Sequence, residues 1–145
     1  MRTLHPMSDV IIRELSQDED FGHWFHELIE LEGRETGHVG AAEDRYLVLS
    51  NEIGDWIGGL RFTLRGGIAQ VVEIAVTPPE RHHGHAHRLL EAFEASARDN
   101  AAHLAEFWTD DKDSEALLAA MGWSAVLRRD RYMADHSWVL MEKRF

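Results

Sequence analysis

The sequence predicts an α/β fold in which a mixed β-sheet of about seven strands is flanked by helices. Three observations favour it. Apolar β-rich runs alternate with stretches of helical periodicity, turn residues separate them, and 145 residues with 44% hydrophobic content can bury one core. The predicted order is β-α-β-β-β-α-β-α-β-β. We expect residues 1–9 to form an N-terminal lead-in and residues 10–145 to form a single domain.

The first predicted elements are a short strand and an amphipathic helix. Residues 10–13 read Val-Ile-Ile-Arg, a run typical of a strand. Apolar side chains then recur at the spacing of one helix face, at Phe21, Trp24, Phe25 and Leu28. Asp18 or Asp20 is expected to cap the start of this helix, and Gly33 is expected to end it.

Three strands are predicted next, at residues 46–49, 56–64 and 68–76. A Gly66-Gly67 pair separates the last two, and such a pair between β-rich runs indicates a hairpin. Pro78 cannot continue a strand ladder, because it lacks the N–H donor. The strand is therefore expected to stop before it.

The second half of the chain predicts two helices and three strands. A helix over 84–98 should turn Leu90, Phe93 and Ala97 inward. Strands are predicted at residues 104–108, 124–132 and 138–142. A shorter helix over 115–121 starts after Asp111, which is expected to cap it, and stops at Gly122.

Composition excludes several function classes. The chain has no cysteine, so disulfides, thiolate metal sites and a cysteine nucleophile are excluded. Its net charge of −11 disfavours binding to nucleic acid and to anionic membranes. No apolar stretch is long enough to span a bilayer, and the N-terminus has no apolar signal core. We therefore expect a cytoplasmic protein.

Residues 81–86, Arg-His-His-Gly-His-Ala, join a predicted strand to a predicted helix. The first N–H groups of a helix have no partner within it, and the helix dipole adds partial positive charge there. Gly84 lets a ligand approach the backbone closely, since it has no side chain. The segment therefore predicts an anion site suited to phosphate. It contains neither the P-loop nor the dinucleotide-binding glycine pattern.

The pattern Val-x-Pro-x-x-Arg-x-x-Gly-x-Ala at residues 76–86 resembles the acetyl-CoA binding segment of the GNAT superfamily of N-acetyltransferases. The resemblance is most specific over residues 73–91 and extends in element order over residues 10–143. It implies acetyl-CoA as cosubstrate. The pantetheine arm would lie along Ile74, Ala75 and Val76. The residues expected to bind the rest of the coenzyme are Arg81, His82, His83, Gly84, His85, Ala86 and His87.

Glu73 is the predicted catalytic base, because direct transfer requires a neutral amine and a carboxylate can remove its proton. Glu52 and Asp55 are weaker candidates. Many family members place a tyrosine where this chain has Leu118, so either another group protonates the leaving thiolate or the thiolate leaves unaided. Tyr132 is the candidate for this role, although a half-buried strand aromatic would also explain it.

The four histidines between residues 82 and 87 also suggest a metal site, because imidazole binds zinc, nickel and copper. Gly84 and the turn into the helix should scatter these side chains. We therefore expect incidental metal affinity, but no functional metal ligands and no metal requirement.

The resemblance predicts direct transfer of an acetyl group from acetyl-CoA to a primary amine of a small molecule, without an acyl-enzyme. Acetyl-CoA and the amine are the expected partners, and the sheet edges are compatible with a homodimer. Two alternatives stay open. One is a non-catalytic acyl-CoA-binding module that acts as a sensor, and the other is a histidine-rich metal-binding protein.

Overall fold

The computed structural model describes residues 10–16 and 20–145. These residues form two compact units, one ending at Ala41 and the other beginning at Ala42. The predicted lead-in at residues 1–9 and the candidate cap Asp18 lie outside the described residues. The single domain over residues 10–145 stays a prediction.

The predicted strand at residues 10–13 is wrong. Residues 10–16 have no regular secondary structure, and the side chains of Ile11 and Ile12 are 87% and 98% exposed. A run of three β-branched residues carries only a weak preference for a strand, and a strand forms when a neighbouring strand pairs with it. No strand pairing in the described part of the chain includes these residues.

Helix α1, Phe21–Thr36, forms where the apolar spacing predicts a helix. Asp20 occupies its N-cap without a side-chain hydrogen bond. The predicted end at Gly33 is wrong, because the helix continues to Gly37, which takes a φ of 74° and caps it. Gly33 has a different role: a Cβ there would lie 3.1 Å from the His38 carbonyl oxygen. The glycine lets the returning loop pass close to the helix.

The second unit is built on one six-stranded mixed sheet with the strand order β1-β2-β3-β4-β6-β5. Among the described strands, β3 and β4 pair in parallel and all other neighbours are antiparallel. The strands are β1 (Glu43–Ser50), β2 (Trp56–Arg65), β3 (Ile68–Val76), β4 (Leu104–Thr109), β5 (Ser124–Arg129) and β6 (Trp138–Arg144). The helices of this unit are α2 (His85–Asp99) and α3 (Lys112–Ala120).

The α/β class and the mixed sheet are confirmed, with six strands instead of about seven because residues 10–13 form none. The β2–β3 hairpin is also confirmed. Gly66 and Gly67 connect its strands with φ angles of 59° and 81°, the left-handed conformations that a tight hairpin turn requires.

Strand β3 contains a bulge at Val72. Val71 pairs with Phe62 and Glu73 pairs with Arg61, so Val72 is an extra residue without a counterpart on β2. Before the bulge the odd-numbered residues point to the buried face of the sheet, and after it the even-numbered residues do. Ile74 therefore lies on the buried face of the sheet, like Val71, while Glu73 lies on the opposite face.

The parallel pairing of β3 with β4 is short. It joins residues 68–71 to residues 104–107 and stops at Val71, so residues 72–76 of β3 have no strand on that side. The sheet opens there, and α2 begins after the connection that follows β3.

The core lies between the sheet and α2. Leu90, Phe93 and Ala97 are buried, as the helical spacing predicts. The rings of Phe62 and Phe93 meet edge to face at 5.2 Å between centroids, which fixes α2 against β2.

A buried carboxylate connects α2 to two other elements. Glu94 is 5% exposed and accepts hydrogen bonds from Trp123 Nε1 at 3.0 Å and Lys143 Nζ at 2.7 Å. Lys143 Nζ also donates to the Met121 carbonyl oxygen at 2.7 Å. A buried charge is tolerated when it is paired and hydrogen-bonded, so this arrangement links α2, the end of α3 and β6.

Asp111 caps α3, as the sequence predicts, by accepting hydrogen bonds from the backbone N–H groups of Asp113 and Ser114. The Ser114 hydroxyl donates to the same carboxylate and is the main reason why the pKa of Asp111 lies below its ordinary value of 3.8. Replacing Asp111 with alanine should destabilise the protein by about 1 kcal/mol at pH 7.

The pH dependence of this effect follows from the lowered pKa. The folded state favours the carboxylate, so its stabilisation is present above pH 3.8 and is lost as the pH falls through the lower folded-state value. Urea unfolding of wild type and Asp111→Ala should therefore converge in strongly acidic buffer. An Asp113→Asn variant serves as the control in the same helical turn. A difference that stays constant down to the lowest pH would contradict the role of the ionised cap.

Gly58 is required where β2 passes the end of β3. A Cβ at Gly58 would lie 2.8 Å from the Ala75 carbonyl oxygen and 3.2 Å from the Val76 Cα, both backbone atoms. Gly58→Ala should therefore displace the end of β3 and destabilise the protein by about 1–3 kcal/mol. Thermal unfolding measures the effect. Gly22→Ala is the control, because nothing lies within 4 Å of a Cβ there. The midpoint temperature of its thermal unfolding should not fall below that of wild type.

Candidate functional site

A cleft of about 450 Å³ lies where β3 leaves β4 and α2 begins. All residues predicted to bind the coenzyme line it except His83. The lining residues are Ile74, Ala75, Val76, Glu80, Arg81, His82, Gly84, His85, Ala86, His87, Asp111, Asp113, Ser114 and Leu117. Residues 77–84 separate the end of β3 at Val76 from the start of α2 at His85 in sequence, and the structure places both at this cleft.

The start of α2 presents free amide groups to this cleft. Helix α2 begins at His85, so the N–H groups of its first turn have no acceptor inside the helix. No backbone hydrogen bond within the described ranges uses the N–H groups of residues 82–87. Gly84 precedes the helix with a φ of 80°, and nothing lies within 4 Å of the space that a Cβ would occupy there. These N–H groups can receive an anion.

Arg81 holds the connection between strand and helix in place. Its Nε donates to the Val76 carbonyl oxygen at 3.1 Å, and its backbone N–H closes the short 3₁₀ turn Pro78–Glu80 at the Pro78 carbonyl oxygen. The predicted contact of Arg81 with the coenzyme stays a prediction, and the structure adds this second role.

The open edge of β3 carries unpaired backbone groups at alternate residues. Thr77 N–H donates to the Ile57 carbonyl oxygen at 2.8 Å. In an antiparallel pair the next residue turns its N–H and C=O the other way, so Val76 directs both groups away from β2. Its carbonyl accepts from Arg81, and its N–H faces the side on which the cleft lies. Ile74, two residues earlier, has the same orientation.

Carboxylates in the cleft were not predicted as part of the site. Glu80, Asp111 and Asp113 line it beside a single arginine, Arg81. The sequence placed Asp111 at a helix start but gave no sign that α3 begins beside the coenzyme segment. The order of strands in the sheet brings them together, and no local pattern encodes that order.

Glu73 faces a second cleft, of about 350 Å³, on the opposite side of β3. Its side chain is 70% exposed, and its Oε1 lies 3.4 Å from an Arg61 guanidinium nitrogen. The residues that line this cleft are Tyr46, Leu47, Val48, Trp56, Gly58, Gly59, Leu60, Arg61, Glu73 and Ala75. Ala75 lines both clefts, so the end of β3 forms a wall between them.

Arg61 lies between two carboxylates on this face. Its Nε donates to Asp44 Oδ1 at 3.0 Å, and this hydrogen bond is the main reason that the pKa of Arg61 is raised above its ordinary value. Arg61 thus connects Asp44 on β1 to Glu73 on β3 across β2.

Tyr132 lies outside the lining of both clefts. The strand predicted to end at this residue stops at Arg129, and Tyr132 belongs to the turn that follows. Its ring packs against Trp108, with 5.1 Å between centroids. Its role as proton donor stays a prediction. The weaker candidates Glu52 and Asp55 lie in the turn between β1 and β2.

Leu118 occupies the position where the related tyrosine is expected and is fully buried in the core. Its side chain packs with the hydrophobic cluster of the second unit. This position therefore contributes packing and no proton.

Three side chains near the start of α2 come together in a way that the sequence analysis did not expect. The ligand atoms of Glu80, His83 and His85 all lie within 4.8 Å of one another. The turn at Gly84 gathers these residues, whereas His82 and His87 do not belong to the group.

The fold resembles solved acetyltransferase structures. A protein of Agrobacterium tumefaciens assigned as an acetyltransferase is 20% identical, with a TM-score of 0.73 over 94% of this chain and 98% of that one. An acetyltransferase from Bacillus cereus is 18% identical, with a TM-score of 0.67 over 92% and 98%. The ribosomal-protein-S18-alanine N-acetyltransferase from Escherichia coli is 18% identical, with a TM-score of 0.62 over 69% of each chain.

None of the curated proteins matches the chain. Within residues 10–16 and 20–145, no helix has both the length and the apolar character needed to cross a bilayer. The sequence profile of the Acetyltransferase (GNAT) family matches residues 10–123, which include the strand end, the connection and the helix start described above. The chemistry of that family is acyl transfer from an acyl-CoA to an amine. The chain belongs to the GNAT family of acetyltransferases.

Proposed function

We propose that the protein transfers an acetyl group from acetyl-CoA directly to a primary amine of a small molecule. The observation that carries the proposal is the opening of the sheet after Val71, where the unpaired end of β3 borders the same cleft as the start of α2. An extended chain can bind along the open edge of β3, and a diphosphate can bind at the start of α2.

The two ends of the cleft suit the two parts of the coenzyme. The pantetheine arm carries amide groups, which can pair with the backbone of Ile74 and Val76 as an added strand would. The diphosphate is an anion, and the N–H groups at the start of α2 can donate to it. Both roles belong to the backbone, so histidines can occupy positions 82–87 without altering them.

The reaction requires the acceptor amine to reach the thioester without its extra proton. Glu73 can take this proton directly or through a water molecule. The amine nitrogen then attacks the thioester carbon, the carbon–sulfur bond breaks, and the electron pair leaves with sulfur. The proton that nitrogen loses as the amide forms passes to the departing thiolate, directly or through water. The Val76 N–H can donate to the carbonyl oxygen as negative charge develops on it.

The acceptor would approach from the second cleft, because Glu73 and Ala75 line it while Ala75 also borders the coenzyme. The aromatic side chains of Tyr46 and Trp56 are 69% and 80% exposed and provide apolar surface for the acceptor. Glu73 and Asp44 provide negative charge near Arg61. This combination favours a cationic amine that carries an apolar or aromatic part.

A panel of amines, screened for thiol release from acetyl-CoA, tests the proposal. It should contain aliphatic polyamines, aryl-alkyl amines, aminoglycosides and short peptides with free N-termini. We expect acetylation of aryl-alkyl amines above the rate of hydrolysis. Turnover of the peptides alone would overturn the proposal of a small-molecule acceptor. Thiol release without any acetylated amine would overturn the proposed transferase activity.

One observation favours a second candidate, a non-catalytic acyl-CoA-binding module. Leu118 is buried where related enzymes carry a tyrosine, and Tyr132 lies in neither cleft lining. Such a module would bind acetyl-CoA in calorimetry yet acetylate no amine in the panel. The cytoplasmic location and the homodimer stay predictions, and gel filtration with light scattering measures the second.

A further inference from the structure

We propose that Glu80, His83 and His85 bind one transition-metal cation of the zinc class at the wall of the coenzyme cleft. Two imidazoles and a carboxylate are a donor set that zinc accepts in proteins. Their ligand atoms lie within 4.8 Å of one another. The metal site itself does not depend on the proposed function, whereas its effect on the coenzyme rests on it.

The spacing of the donors is close to what coordination needs. Two ligands at about 2.1 Å from a tetrahedral zinc ion are roughly 3.4 Å apart. His85 Nε2 and Glu80 Oε1 are already 3.2 Å apart. His83 is exposed, so its ring can complete the third position by a small side-chain movement. A fourth position would stay open to water or to another oxygen ligand.

The imidazole of His85 is nearly buried, and its one hydrogen-bond contact among the described residues joins Nε2 to Glu80 Oε1. Its side chain is 12% exposed, and its Nδ1 is buried without a hydrogen-bond partner among the described residues. If Nε2 carries the proton, Nδ1 has a buried lone pair without a donor. If Nδ1 carries it, the Nε2 lone pair faces the acceptor oxygen of Glu80. In this second tautomer the two facing lone pairs can both bind a metal ion, and it is the tautomer that the proposed site requires.

The backbone around the three donors is held in place. Glu80 ends the turn Pro78–Glu80, in which two prolines restrict the chain, and Arg81 attaches this turn to the end of β3. His85 is the first residue of α2. Little ordering is therefore required when a metal ion binds, since two of its three ligands are already positioned.

The cation would change the charge of the coenzyme cleft. Glu80, Asp111 and Asp113 line this cleft with Arg81 as the one residue of fixed positive charge among its lining residues. A polyanionic coenzyme is repelled by this excess of carboxylates. A divalent ion on Glu80 would add two positive charges next to the expected diphosphate position. We therefore expect metal binding and coenzyme binding to favour each other.

Zinc calorimetry on untagged protein without coenzyme tests the metal site. We expect binding of one Zn²⁺ per chain, and visible absorption bands of tetrahedral Co²⁺ on cobalt addition. Binding should be lost in His83→Ala and Glu80→Gln, whose side chains are partly or fully exposed, so that both variants should fold. His82→Gln and His87→Gln are matched controls and should retain it. Absence of stoichiometric binding, or equal losses in all four variants, would overturn the site.

Acetyl-CoA titrations with and without Zn²⁺ then test the coupling, with the thioester form used to avoid a free thiol. Zinc should raise the affinity about fivefold or more in wild type. The same titration on His83→Ala corrects for zinc–phosphate complexes in solution and should show no gain. Unchanged or weaker coenzyme affinity would overturn the coupling while leaving the metal site. Failure of acetyl-CoA to bind under any condition would instead count against the proposed function.

Discussion

Replacing Glu73 with glutamine is expected to lower kcat with the best amine of the panel by about 10²–10⁴-fold. The amide has the size of the carboxylate but cannot accept a proton from the amine. The affinity for acetyl-CoA should stay unchanged, because Glu73 lies on the opposite face of β3 from the coenzyme cleft. Steady-state kinetics give the first quantity, and calorimetry with acetyl-CoA gives the second.

Glu52→Gln is the matched control for this variant. Glu52 is an exposed acid in the turn before β2 and should leave kcat within about twofold of wild type, as surface substitutions away from a site do. The pH profile adds a further readout, since the limb that reports the base should disappear in Glu73→Gln and persist in Glu52→Gln. Full activity of Glu73→Gln would refute the role of this carboxylate.

Glu94→Ala is expected to have the largest effect on stability, a loss of about 3–5 kcal/mol in the free energy of unfolding. The substitution removes the acceptor of Trp123 Nε1 and the counter-ion of Lys143, which is 22% exposed. The buried indole N–H of Trp123 would then have no acceptor, and the half-buried ammonium of Lys143 would lose its counter-ion. Urea unfolding, followed by tryptophan fluorescence, measures the change.

Two comparisons separate the charge from the packing. Glu91→Gln, on an exposed position one turn away, should change the stability by less than about 0.5 kcal/mol. The double variant Glu94→Leu with Lys143→Met replaces both charges by apolar groups and should recover much of the loss. If Glu94→Ala unfolds at the same urea concentration as wild type, the buried pair does not hold these elements together.

Local patterns in the sequence predicted most of the second unit. The hairpin at Gly66-Gly67, the end of β3 before Pro78 and the inward face of α2 each depend on residues that are neighbours in sequence. Each of these features follows from a backbone preference or from the spacing of apolar residues within one short segment. The coenzyme segment was found for the same reason, since a strand, a loop and a helix start form one continuous stretch.

The errors occurred where tertiary context decides. Residues 10–13 have the composition of a strand, but none of the described strands pairs with them. Gly33 and Gly37 look alike in sequence, and the approach of the loop explains the first while the left-handed cap explains the second. A local pattern cannot rank two glycines that serve these different purposes.

The site was predicted in part. The backbone cradle follows from one segment, whereas Asp111, Asp113 and Ser114 enter the cleft because β4 lies next to β3 in the sheet. The group of Glu80, His83 and His85 was missed because its formation depends on how Gly84 turns the chain. A glycine turn of this kind is expected from the sequence to separate the histidines.

The bulge at Val72 decides on which side of the sheet the proposed base is found. If the chain continued past Val71 in strict alternation, with Val72 retained but without the bulge, Glu73 would share the face of Val71 and point to the buried side of the sheet. The identity of the acid and its usefulness are thus independent, because loss of the bulge could silence Glu73 without changing a single functional group. One residue without a counterpart on β2 therefore separates a carboxylate that could meet an amine from one that would be trapped in hydrocarbon.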